Sequence, residues 1–75
     1  MALDWHERIT VAPNVHDGRA TIRGMRITVQ DVLDYLGSGM LMDEVLTDFP
    51  KLTVEDIQAS IAYAAEQLRD RAATA

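Results

Sequence analysis

Seventy-five residues with a net charge of −5 and no cysteine describe one small domain with a thin stability margin. That composition excludes a disulfide framework and a thiolate metal site, and no apolar run approaches the ~20 residues of a membrane-spanning helix. Self-association or a partner subunit remains as the common way to add buried surface. The absence of cysteine suits a reducing cytoplasm, and Met1-Ala2-Leu3-Asp4-Trp5-His6 lacks the pattern of a signal peptide.

Ile9-Thr10-Val11 alternates as a short half-buried strand does. Residues 13–18 are rich in turn formers, and Asp17-Gly18 favours a tight turn. Ala20-Thr21-Ile22-Arg23 then returns as a second short strand, and a pair this small must pack on helices. A first helix is predicted from Thr28, as cap, to about Ser38, with Val29, Val32, Leu33 and Leu36 on one stripe. Gly37-Ser38-Gly39 ends it. A short second helix follows over Asp43–Asp48, its acids at the positive end of the dipole and Val45, Leu46 and Phe49 inward. Pro50 stops it. Thr53 and Asp56 have capping-box spacing and open a third helix to about Arg69, after which 72–75 are expected to fray. The apolar spacing predicts a core stripe of Val54, Ile57, Ile61, Ala64, Ala65 and Leu68. Glu55, Asp56, Ala59, Ser60, Ala62, Tyr63, Glu66 and Gln67 then face outward. The fold class is mainly α: a three-helix, helix-turn-helix-like core over about 8–70 with a short N-terminal β element.

Charge is unevenly placed. Residues 1–26 hold Arg8, Arg19, Arg23 and Arg26 against Asp4, Glu7 and Asp17, a net of +1, and residues 27–75 carry −6. An acidic helical part is poor ground for phosphates and suits a basic partner surface. The connector Arg23-Gly24-Met25-Arg26 is the basic exception, with two guanidinium forks suited to carboxylate or phosphate. His6 and His16 have no acid at a fixed helical spacing, and the pairs Asp43-Glu44 and Glu55-Asp56 each complement a helix dipole. No catalytic residue, metal ligand or cofactor-binding residue is therefore assigned. Leu3, Trp5, Met40, Leu41 and Met42 form an apolar excess; Met40 suits the core, and Leu41 or Met42 a partner.

Arg8-Ile9, Asp17-Gly18-Arg19, Thr21-Ile22-Arg23-Gly24-Met25-Arg26-Ile27-Thr28-Val29 and Asp48-Phe49-Pro50-Lys51-Leu52-Thr53-Val54-Glu55-Asp56-Ile57 follow in an order and spacing that carry a family mark. Together they resemble the small prokaryotic family called domain of unknown function 433, over roughly residues 8–66. Ala20 and Met25 depart from its pattern, where proline and threonine are common. The resemblance implies a homeodomain-like fold and the role of a VapB-type antitoxin, which neutralises a PIN-like ribonuclease by direct binding and is cytoplasmic. On that reading Arg23 and Arg26 answer the nuclease's clustered acids, and Glu55, Glu66 and the Tyr63 face complete the partner surface. Two alternatives stay open. One is a DNA-binding regulator using Arg23, Arg26 and Ser60, with weak affinity for nucleic acid alone. The other is a homodimeric adaptor.

Overall fold

A computed structural model describes residues 4–12 and 18–74, with side chains as far as Arg71. Leu3, Ala75 and the loop 13–17, with His16, lie outside the described residues. The chain begins with a 3-10 turn, Trp5–Glu7, capped by the Asp4 carboxylate, which accepts from the His6 amide. Two strands follow, β1 (Ile9–Thr10) and β2 (Thr21–Ile22), paired antiparallel with Ile9 opposite Ile22. Both are shorter than the alternation suggests, and Val11 is exposed. The rest is three helices: α1 (Val29–Gly37), α2 (Met42–Asp48) and α3 (Val54–Thr74). No helix among the described residues is long and apolar enough to cross a membrane.

The caps explain the helix starts. The Thr28 hydroxyl accepts from the Asp31 amide at 3.0 Å, and the Asp31 carboxylate accepts from the Thr28 amide at 3.2 Å. Thr53 and Asp56 repeat the device at α3, at 3.1 and 3.0 Å. The short aspartate side chain therefore does the work of the usual glutamate. At α2 the Glu44 carboxylate accepts from the Leu41 amide at 2.8 Å, and the helix starts one residue early, at Met42. Helix α3 continues past Arg69 to Thr74, where fraying was expected.

Ile9 and Ile22 of the hairpin, Val29 and Val32 of α1, Val45 of α2, Leu52 of the turn, and Ile57 and Ala59 of α3 form the core. Leu33, Leu36, Leu46, Phe49, Met40 and Met42 pack around it, while Leu41 is exposed. Helix α3 sits against α1, α2, β1 and the 3-10 turn, but not in the expected phase. Ile61 is 45% exposed, Leu68 65% and Val54 40%, whereas Asp56, Ala59 and Ser60 are buried. The cause is polar as well as apolar. A carboxylate that two arginines must reach turns the Asp56 side inward. Small Ala59 and Ser60 beside it let the helix approach closely, and the Ser60 hydroxyl donates to the Asp56 carbonyl at 3.0 Å.

Candidate functional site

The start of α3 is built around one buried carboxylate. Arg8, just before β1, donates to Asp56 Oδ1 at 2.9 Å, and Arg23, just after β2, donates to Oδ1 and Oδ2 at 3.2 and 2.9 Å. Arg23 also donates to the Lys51 carbonyl at 2.6 Å. The backbone aims it there. Arg23 and Gly24 both have positive φ, +50° and +73°, at the centre of a tight turn closed by the Met25 amide on the Ile22 carbonyl at 2.9 Å. A non-glycine residue at positive φ is strained, and the clamp on Asp56 holds it. Burial pushes the Asp56 carboxyl up, but the Thr53 amide and the two guanidinium groups outweigh it and hold the group below the ordinary carboxylate range.

This geometry redirects several expected site residues. Arg23 is not a spare fork, since its bidentate partner lies within the chain. Arg26 is exposed and pairs with no described residue. Glu55 is exposed. Ser60 is buried and cannot reach a base edge, which corrects its assignment to DNA. Tyr63 and Glu66 are half-buried because Trp5 covers them: the Tyr63 ring meets Trp5 edge-on at 4.7 Å, and Trp5 Nε1 donates to the Glu66 carboxylate. His6 stacks on the Trp5 ring at 3.8 Å. At the start of α3, Arg8 and Arg23 cover Asp56, so of its two first-turn acids only Glu55 stays exposed. Arg8 escaped notice because its partner lies 48 residues away; nothing local in the sequence marks the pair.

Besides the exposed Val11 and Leu41, two apolar features lie outside the core among the described residues. The first is the exposed row Val54, Ile61 and Leu68 along α3. The second is an open groove of about 630 Å³ between α1 and the C-terminal half of α3. Val29, Leu33 and Ala64 are among its lining residues, together with the exposed Arg19. A groove lined by apolar side chains and an exposed guanidinium suits an extended or helical segment that carries apolar and acidic side chains.

A family model described as "Protein of unknown function (DUF433)" matches residues 9–64. Among solved structures, the chain is similar to a DUF433 member protein from Anabaena variabilis ATCC 29413, with 32% identity and a TM-score of 0.79. The match covers 87% of this chain and 64% of that one, so the domain spans a little under two thirds of its solved relative. No curated protein matches the chain.

Proposed function

The chain belongs to the DUF433 family, and from that premise we propose that it is the antitoxin of a type II toxin–antitoxin pair, neutralising a PIN-like ribonuclease by direct protein binding. The observation that carries the reading is the groove between α1 and α3, lined by Val29, Leu33 and Ala64 and by the exposed Arg19. A nuclease of this kind clusters carboxylates to hold Mg²⁺. A segment beside that cluster offers apolar and acidic side chains together, the chemistry the groove complements. Arg19 and Arg26, both exposed, take the role first expected of Arg23. Binding at such a surface covers the apolar excess that a domain this small leaves open. A cytoplasmic location follows from the same reading.

Titration with the product of the neighbouring open reading frame, paired with an RNA-cleavage assay, tests the proposal. A saturable complex that abolishes RNA cleavage is the expected result. Unchanged cleavage in the presence of excess folded protein refutes it.

A second reading, a DNA-binding regulator, is favoured by one observation: two guanidinium groups, Arg8 and Arg23, share the single Asp56 carboxylate at the start of α3. The short connection from α2 to α3 suits a helix-turn-helix. Binding of this kind rests on few phosphate contacts and is lost with modest salt.

A further inference from the structure

The exposed row on α3 has a period of its own. Val54, Ile61 and Leu68 recur every seven residues, and Gln58 and Ala65 fall between them, so the spacing alternates four and three. That is the a/d pattern of a coiled-coil seam, with large side chains at one position and small ones at the other. It lies on the face of α3 turned away from Asp56, Ala59 and Ser60, which bury the helix against its own domain. The helix is 21 residues long, enough for three heptads. One intramolecular packing face and a second seam on the opposite side are more than a single domain uses.

The charges along this seam say what covers it. Glu55 lies at the N-terminal end, and Arg69 at the C-terminal end, in the same flanking position two heptads later. Both are exposed, and neither pairs with a described residue. A parallel copy sets the two copies of Glu55, and the two of Arg69, on opposite sides of the seam, where neither meets an opposite charge. An antiparallel copy brings each Glu55 beside Arg69 of the other. It also sets the large Ile61 against the small Ala65, so that two helices approach closely at the centre. The helix dipoles oppose in the same arrangement.

We propose that the exposed face of α3 is a self-complementary dimerisation surface, on which a second copy of this chain packs its α3 antiparallel with the two-fold axis at Ala62–Tyr63. The contact is isologous and closes on itself. It leaves most of the α1–α3 groove outside the seam, with Leu68 at the border of the two. The assembly therefore presents two grooves, one from each copy.

Sedimentation equilibrium and cysteine cross-linking test this together. The protein alone is expected to be dimeric at tens of micromolar. Ile61→Glu places a charge on the seam without entering the core, so it is expected to keep the helical circular-dichroism spectrum and weaken dimerisation at least about tenfold. The chain has no cysteine of its own, so single cysteines report proximity cleanly. Ala62→Cys, near the axis, is expected to join to itself through a short bis-maleimide. Val54→Cys, far from its equivalent in an antiparallel pair, is not. A wild-type protein that stays monomeric at high micromolar concentration overturns the proposal, as does undiminished association of Ile61→Glu. Efficient self-cross-linking of Val54→Cys overturns the antiparallel orientation.

Discussion

Removal of the Asp56 carboxylate is the perturbation the fold should tolerate least. Asp56→Ala deletes the N-terminal cap of α3, which contributes about 1 kcal/mol. It also deletes the hydrogen bonds from Arg8 and Arg23, charge-assisted contacts of about 1.5–3 kcal/mol each. The two arginine side chains are 32% and 41% exposed, so they regain water when the carboxylate goes, and about half of that second contribution is recovered. The expected loss is about 2.5–4 kcal/mol. A domain of this size has roughly 4–11 kcal/mol in all, so the variant stands near its unfolding limit. Asp56→Asn keeps an oxygen for the Thr53 amide and Arg23 Nη2 but turns an NH2 donor towards Arg8 and Arg23 Nε, and should lose about 2–3 kcal/mol. Urea denaturation followed by circular dichroism gives both values, and urea leaves the ion pairs unscreened. A loss below about 1 kcal/mol for Asp56→Ala, the scale of an exposed ion pair, would refute the clamp as the feature that sets the phase of α3.

Other outcomes follow from the same geometry. The folded pKa of Asp56 lies below its unfolded value, so its contribution to stability is complete above about pH 4–5 and is lost as pH falls through the folded value; Asp56→Asn should remove that acid-limb dependence from a pH series of urea midpoints. Ile57→Ala should cost about 2–4 kcal/mol in a buried site, and Ile61→Ala under about 1 kcal/mol in the isolated subunit at low concentration; equal losses would mean the phase of α3 is misread. Trp5→Phe keeps the ring contact with Tyr63 but loses the donor to Glu66, and should cost about 1 kcal/mol in the same assay. DNA affinity of the protein alone, by fluorescence anisotropy, should be weak and fall steeply with salt; tight, sequence-selective binding at physiological salt would favour the regulator reading.

Local chemistry explains which parts of the architecture were readable from the chain. Thr28 and Thr53 announce helix starts because a cap needs only residues three positions apart, and Gly37-Ser38-Gly39 and Pro50 announce helix ends for the same reason. The phase of α3 was not readable that way. Val54, Ile61 and Leu68 have helical spacing, but spacing cannot say whether an apolar row faces the same domain or something else. The row that packs contains Asp56, Ala59 and Ser60. It reads as surface until Arg8 and Arg23 arrive from 48 and 33 residues away. The same long-range pair withdrew Arg23 from the expected partner site. It also takes Asp56 out of the acidic surface at the start of α3. Tyr63 and Glu66 were placed on a free face because Trp5, 61 residues from Glu66, covers them only in the folded chain.

The proposed binding of a PIN-like ribonuclease, sought as the product of the neighbouring open reading frame, in the groove between α1 and α3 is tested at an exposed residue without disturbing the core. Isothermal titration with wild-type protein and with Arg19→Glu, paired with an RNA-cleavage assay, is the direct measurement. Saturable binding that stops cleavage, weakened at least tenfold by Arg19→Glu with an unchanged fold, is the predicted result, the size expected when a charge facing an acidic site is reversed. No heat of binding and no inhibition by the folded wild-type protein, or equal affinity for both proteins, would contradict the account.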